Sequence, residues 1–534
     1  MTTVNELDKK RMLMKRDTDE LVRVHEKNAA SMWRATYHVQ PVTGLMNDPN
    51  GFTYCNKKWH LFYQWFPFGP VHGLKHWYHV TSPDLIHWEN RGVALLPTGK
   101  YENCGCYSGT AISEGDTIYF AYTGNYRDEN RIRRPHQLLA TLEGDEQYTK
   151  AMRPLITPNE NYTEHQRDPK IVRIDDMYYI FLGAQNKQEQ GVILVYCSDS
   201  ILTDWKFLGE LKVKGYENGF GYMVECPDVQ KIGLHDVLIF SPQGIEPNGD
   251  EFYNKFNSVY LIGDLDLETL TFTPDGPMHE LDRGFDFYAP QCASQNVYCD
   301  CSIMSAWFAV PDYTYPPTDE EGWSGLQTFA RELTIRKGKL YQTPVRGFES
   351  IKKDELFCAK NGEIISDKLH GQMPSSAIIR IENPDAESLD LNLFSRNYVI
   401  ARGFAISYDK YAKRLRIDRS DLTNQLNEEY GTERQIILEN GLTSMDILVD
   451  HSTVEIFVNK GEYVLSARIF PTKEEHMIRM GGKNLNLSIW STESTEMMRQ
   501  YSSQKINKAG QPAFFNGWLK NINESSINSC TINL

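Results

Sequence analysis

Three acidic residues have the right types and settings for chemistry. Asp48 and Asp168 each precede a proline, in Asn47-Asp48-Pro49 and Arg167-Asp168-Pro169, and Glu225 lies just before Cys226-Pro227. Taken singly, an Asp-Pro pair is ordinary turn chemistry. Gathered around one site, three acids raise each other's pKa, a cost that calls for a use. Cleavage of a glycosidic bond uses such a set. One carboxyl group must hold a proton for the leaving oxygen, while another must be ionised to attack carbon or to activate water. The distance between them decides retention or inversion, and spacing along the chain does not supply it.

A repeat accounts for how residues so far apart could meet. Short apolar strands recur at Trp59–Gln64, Ile118–Thr123, Tyr178–Leu182, Asp236–Phe240 and Ser302–Trp307, with start-to-start steps of about 59, 60, 58 and 66 residues. Each step is long enough for a four-stranded unit, and five such units predict a five-bladed β-propeller. A second recurrence, Ser82-Pro-Asp-Leu-Ile-His-Trp88 and Ser198-Asp-Ser-Ile-Leu-Thr-Asp-Trp205, supports the same period. Ten or eleven residues before the recurring strands stand Asp48, Ser108, Asp168, Glu225 and Gln291. In a propeller one strand of every blade lines the central channel, so these positions are expected to converge on it.

The rest of the chain narrows the class. With 534 residues, at least two domains are expected. Its 29 Tyr and 24 Phe favour strands over a helical bundle. A net charge of −15 leaves no basic field to replace phosphate counterions, so no nucleic-acid partner is expected. No apolar run approaches a membrane span, and the charged N-terminus lacks the apolar centre of a secretory signal, so a cytoplasmic location is expected. The scattered cysteines read as free thiols of a reducing compartment. The pairs Cys104-Gly-Cys106 and Cys299-Asp-Cys301 lack zinc spacing, so no metal is expected. The predicted organisation is a charged N-terminal segment over 1–34, the propeller over 35–350 and a linker over 351–370. A C-terminal β-sandwich follows over 371–500, with a turn at His451-Ser452, and then an Asn/Ser-rich tail over 501–534.

Three motifs then carry a resemblance. Gly44-Leu-Met-Asn-Asp-Pro-Asn-Gly51, His165-Gln-Arg-Asp-Pro169 and Met223-Val-Glu-Cys-Pro-Asp228 resemble, in order, the signatures of glycoside hydrolase family 32, the invertases and fructanases. The likeness extends from about Tyr37 to about Pro471 and includes Gly105–Gly109, Arg331–Leu333 and Val449–Phe457. It implies the same all-β propeller and sandwich, and a retaining mechanism through a covalent fructosyl-enzyme. On the matching positions, Asp48 would be the nucleophile and Glu225 the acid/base. Asp168, with Arg167, would hold fructose hydroxyls and favour the oxocarbenium-like transition state. Asn47, Gln64, Tyr107 and Ser108 would complete the fructose pocket. The family implies no metal or organic cofactor, and for the sandwich a structural role or homodimer contacts.

Two departures bear on the substrate. Leu45 stands where the family often carries Trp, and another common Trp is absent from Val71-His-Gly-Leu-Lys-His-Trp77, which gains His72, Lys75 and His76. This is similar to the intracellular branch that acts on sucrose-6-phosphate. A lysine near a substrate entrance would suit a phosphate, which makes Lys75 the candidate, with the basic segment Asn125–Arg134 as a second source. Sucrose and sucrose-6-phosphate are the expected substrates. Fructan hydrolysis, transfructosylation and a non-catalytic sugar-binding propeller are the alternatives.

Overall fold

The computed structural model describes residues 5–144, 147–294, 300–359, 372–396, 403–482 and 484–495. Each recurring apolar run is the second strand of an antiparallel sheet: Lys58–Phe66, Thr117–Gly124, Met177–Asn186, His235–Gln243 and Ser302–Trp307. The runs are continuously apolar because both faces of every sheet are covered. Alternate side chains of one strand enter different cores. Ile118 and Phe120 pack toward the first sheet, with Phe62 and Trp77, while Ala121 packs toward the third, with Ile171 and Ile180. The same division separates Ile180 from Phe181 and Ile239 from Leu238. Apolar clusters between successive sheets therefore hold the propeller together.

The first strand of each sheet lies innermost: Gly44–Cys55, Cys106–Glu114, Tyr162–Ile174, Met223–Ile232 and Tyr288–Cys292. Each inner strand adjoins the next, and the fifth adjoins the first, so the five blades close into a ring. A parallel pairing of Trp323–Ser324 with Gly44–Leu45 ties the late part of the propeller to its first blade. The N-terminal segment contributes a helix, Thr18–Ala29, that buries Leu21, His25 and Asn28. Ahead of it, Leu13 N–H donates to His76 Nε2 at 3.2 Å and Leu74 N–H donates to Lys9 O at 2.7 Å, so this segment lies on the first blade.

The C-terminal part is a sandwich of a six-stranded and a five-stranded antiparallel sheet around an apolar core that includes Ile379, Leu391, Ile406, Ile447 and Ile456. The turn expected at His451-Ser452 is present, with His451 at φ +54° joining the paired strands Ser444–Asp450 and Thr453–Val458. Lys352–Ala359, within the stretch read from sequence as a linker, is instead an edge strand of the six-stranded sheet, paired with Asn486–Thr492. It buries only Phe357 and Ala359, which is why no alternation is visible there. Residues 360–370 of that stretch and the Asn/Ser-rich tail lie outside the described residues.

The two parts meet across buried charges. His38 places Nδ1 at 2.8 Å from Asp450 and Nε2 at 2.9 Å from Glu455, both sandwich carboxylates. Arg331, on the fifth blade, pairs with Glu455 at 2.6 Å and with Asp282 at 3.0 Å. Arg419 of the sandwich returns to Asp286 of the propeller at 2.8 Å. Burial alone would lower the His38 pKa, but its bonds to Asp450 and Glu455 outweigh burial and raise it to about 9. A group raised from an unfolded value near ~6.5 stabilises fully below that pH and loses its contribution as pH climbs through the folded value. Replacing His38 by Gln is therefore predicted to lower the melting temperature most at pH 6, with the gap to wild type narrowing between about pH 6.5 and 9. A gap that stays constant across that range in thermal denaturation would show that His38 is not charged in the fold.

Candidate active site

All five inner strands carry an irregularity at the same level. Asn47-Asp48, Tyr107-Ser108, Asp168-Pro169, Cys226-Pro227 and Ala289-Pro290 each stand opposite a single partner residue, which is a β-bulge. A bulge breaks the alternation of faces, so two consecutive residues can both be aimed into the channel. Asp168, Cys226 and Ala289 take left-handed backbone at φ +64°, +47° and +49° to accomplish it. Such strain in residues other than glycine persists only where the surroundings enforce it.

The pairing registers correct the equivalence read from the sequence. Asn50, Thr110, Lys170, Asp228 and Gln291 face corresponding residues of their second strands. Two positions earlier stand Asp48, Ser108, Asp168, Cys226 and Ala289. Asp48, Ser108 and Asp168 are thus true equivalents. Glu225 stands one residue earlier, level with Asn47, Tyr107, Arg167 and Tyr288, and Gln291 lies in a deeper layer. The cause is the bulge, whose extra residue cannot be located by counting.

The three carboxylates lie in different surroundings. Asp48 Oδ2 accepts from Ser108 Oγ at 2.5 Å and from Gln64 Nε2 at 3.3 Å, while Oδ1 accepts from Asn47 Nδ2 at 3.2 Å. Gln64 also donates to Ser108 Oγ and, through Oε1, accepts from Asn47 Nδ2 at 3.1 Å. Burial raises the Asp48 pKa, and the charge of Glu225 adds to it against the Ser108 hydrogen bond. Asp168 accepts from Cys226 N–H at 3.2 Å. Burial, then Glu225, push its pKa up to about 7 in spite of Arg167. Glu225 differs. Burial would raise it, yet Arg167 donates from Nη2 at 2.6 Å and Nε at 2.9 Å to Oε1, and Oε2 accepts from Tyr288 Oη at 2.5 Å and Gln243 Nε2 at 2.8 Å. These donors hold the Glu225 pKa below the ordinary value.

Of the other candidates, Asn47, Gln64 and Ser108 are buried around Asp48. Tyr107 is partly exposed beneath the Arg133 guanidinium. Lys75 is not at an entrance. It is buried, and its Nζ donates to Asn47 Oδ1 at 2.6 Å. Burial lowers its pKa to about 7, against the attraction of Asp48. An ammonium buried and committed to Asn47 is not the exposed cation expected from the sequence. His72, by contrast, is exposed, edge-on to Trp307 at 5.9 Å. Leu45 is buried and offers no stacking face.

Tyr288, Gln243 and Gln327, whose Nε2 donates to Asn47 O at 2.7 Å, were not evident from sequence. A signal for Tyr288 existed. Aligned on proline, Tyr288-Ala-Pro290 is the fifth-blade counterpart of Arg167-Asp-Pro169 and Glu225-Cys-Pro227.

Residues 38–344 match the glycosyl hydrolases family 32 N-terminal domain and 349–495 match the family 32 C-terminal domain. The chain belongs to glycosyl hydrolase family 32. This family 32 glycosidase is 37% identical to the sucrose-6-phosphate hydrolase of Staphylococcus xylosus over 459 residues, covering 85% of this chain and 90% of that one. It is 36% identical to the Lactococcus lactis subsp. lactis sucrose-6-phosphate hydrolase over 86% of this chain and 93% of the relative. Among solved structures it resembles the Lactobacillus gasseri sucrose-6-phosphate hydrolase, with a TM-score of 0.85, 34% identity and coverage of 91% and 99%. It also resembles the Bombyx mori β-fructofuranosidase, with a TM-score of 0.77, 29% identity and coverage of 90% and 98%.

The contact between Tyr288 and Glu225 generates a prediction for this glycosidase. Removing a donor to a carboxylate raises its pKa. Tyr288→Phe should move the limb of the kcat/KM–pH profile that reports Glu225 to higher pH, with a several-fold loss of rate at the wild-type optimum. An unmoved profile would mean that Tyr288 does not tune Glu225.

Proposed function

We propose that the protein hydrolyses terminal β-D-fructofuranosides with retention of configuration, with sucrose-6-phosphate and sucrose as its substrates. The observation that carries this reading is the opposed environment of Asp48 and Glu225 on one channel. Asp48 is held by neutral donors that fix its orientation, and Glu225 is held by a cation and a phenol. In the first step an Asp48 oxygen attacks the anomeric C2 of the fructosyl unit. Glu225 gives its proton to the glycosidic oxygen, and the hexose leaves. In the second step Glu225 takes a proton from water, the hydroxide oxygen bonds to C2, and the bond to Asp48 breaks.

The donors around Glu225 favour its carboxylate, whereas the first step needs its acid form. A bound sugar that draws Arg167 or Tyr288 into its own hydrogen bonds removes donors from Glu225 and raises its affinity for a proton. Asp168, with its pKa pushed up to about 7 by burial and Glu225, can donate to or accept from a fructose hydroxyl. Asn47, Gln64 and Ser108 act mainly by placing Asp48, and Lys75 acts by fixing Asn47.

The names of the relatives support the choice of phosphorylated and free sucrose, and a variant of the Bombyx mori enzyme was solved in complex with sucrose. A cytoplasmic location fits the free thiols among the described residues, such as Cys55, Cys292 and Cys301. No described helix is long and apolar enough to cross a membrane.

Proton NMR during cleavage of sucrose tests the mechanism: β-fructofuranose should appear first and then mutarotate, whereas initial α-anomer would overturn it. Glu225→Gln should lower kcat by roughly 10²–10⁴, the usual worth of a general acid, with folding intact. Near-normal turnover would remove Glu225 from that role.

A further inference from the structure

The loop after the second strand of the second blade carries four arginines, Arg127, Arg131, Arg133 and Arg134, and the structure separates them. Asp128 pins the turn: its Oδ1 accepts from Asn130 N–H at 3.0 Å and from Ile132 N–H at 2.9 Å. Its Oδ2 accepts from Arg134 Nε at 3.0 Å, which neutralises that arginine. Arg127 donates from Nη1 to Arg131 O at 2.9 Å and shares a backbone bridge with Arg133. Arg131 is exposed at left-handed backbone on the tip, φ +65°.

Arg133 is set apart. It is half-buried, its guanidinium lies 5.6 Å from the Tyr107 ring centroid, and Nε donates to Asn125 Oδ1 at 3.2 Å. Among the described residues no carboxylate pairs with it. It lies close enough to Arg167, His165, Asp168 and Glu225 for their electrostatics to interact, and the charge of Arg167, after burial, disfavours its own. Arg167 is committed to Glu225, and its Nη1 lies 3.2 Å from His165 Nδ1. One guanidinium without a counter-ion therefore stands beside another at the rim, stacked and pre-oriented on an aromatic ring. This arrangement costs Coulomb energy that a bound dianion would recover.

We propose that Arg133 is the phosphate-recognising residue of the leaving-group subsite. The proposal rests on the sucrose-6-phosphate reading above. Position supports it. Asp48 lies at the fructosyl carbon and Glu225 beside the bridging oxygen, so the departing hexose lies on the Glu225 side, where Arg167, His165 and Arg133 stand. A guanidinium stacked on Tyr107 presents its remaining N–H groups as a fork, which matches two phosphate oxygens. Arg133, in place of Lys75, is then the cation that separates phosphorylated from free sucrose.

The test compares kcat/KM for sucrose-6-phosphate and sucrose in wild type, Arg133→Gln and Arg133→Lys. Arg133→Gln should lose at least about tenfold more on the phosphorylated substrate than on sucrose, chiefly through KM, and should weaken product inhibition by glucose 6-phosphate more than by glucose. Arg133→Lys should recover part of the loss, since it keeps the charge without the fork. Turnover of sucrose by each variant reports that it has folded. If wild type shows no preference for sucrose-6-phosphate, the substrate reading fails and the subsite with it. If wild type shows the preference and Arg133→Gln retains it, only the assignment to Arg133 is overturned.

Discussion

A ring of strands that meet only at their inner edges must satisfy backbone groups for which no neighbouring strand supplies a ladder, and the rest of the molecule depends on how this is done. Side chains of one inner strand reach the next. Asn50 of the first blade accepts from Gly109 N–H of the second at 3.0 Å, and Thr110 of the second accepts from Ile171 N–H of the third at 2.9 Å. Asp228 of the fourth accepts from Cys292 N–H of the fifth at 2.9 Å, and Gln291 of the fifth accepts from Phe52 N–H of the first at 2.9 Å. Lys170 takes the remaining place, pairing with Asp228 at 2.9 Å and donating to Cys292 O at 3.0 Å. These five residues occupy one level and form a polar floor.

The site sits directly above that floor. Because the level is closed by interlocking side chains, the bulges above it are held in place, and strained residues such as Asp168 can be maintained. Precision at the carboxylates is thus inherited from the layer beneath them. The charge balance of the site follows from the same design. Neutral donors from the first and second blades surround Asp48, while donors from the third, fourth and fifth surround Glu225. One pocket therefore presents two distinct carboxylates.

Much of this was legible in the sequence, for physical reasons. The second strands are buried on both faces, so they read as unbroken apolar runs, and their even spacing exposed the blades. The acids could be found because proline follows each of them at its bulge, in Asp48-Pro49 and Asp168-Pro169. The exact register could not, since an inserted residue leaves no mark on strand spacing. Counting back from the strands therefore sets Glu225 one position off and Gln291 in the wrong layer, and it passes over Tyr288. Lys75 departs from its expected exposure for a different reason. A basic residue in a Gly-containing loop reads as exposed, and only the packing of that loop against Asn47 reveals that it is buried. The strand Lys352–Ala359 escaped notice because its exposed, charged edge shows no period.

The buried charges between propeller and sandwich have a consequence for what counts as a unit. Glu455 takes both His38 and Arg331, and the sandwich residues Ile378, Leu448 and Phe457 share a core with Trp59 and Leu61 of the first blade. A propeller cut free at its boundary would leave Arg331 with Asp282 alone and bare a broad apolar face. The sandwich would be left with two carboxylates stranded in its wall. Neither half is a module that evolution could have exchanged without rebuilding the other's surface. The two parts are better regarded as a single cooperative body that happens to contain two architectures.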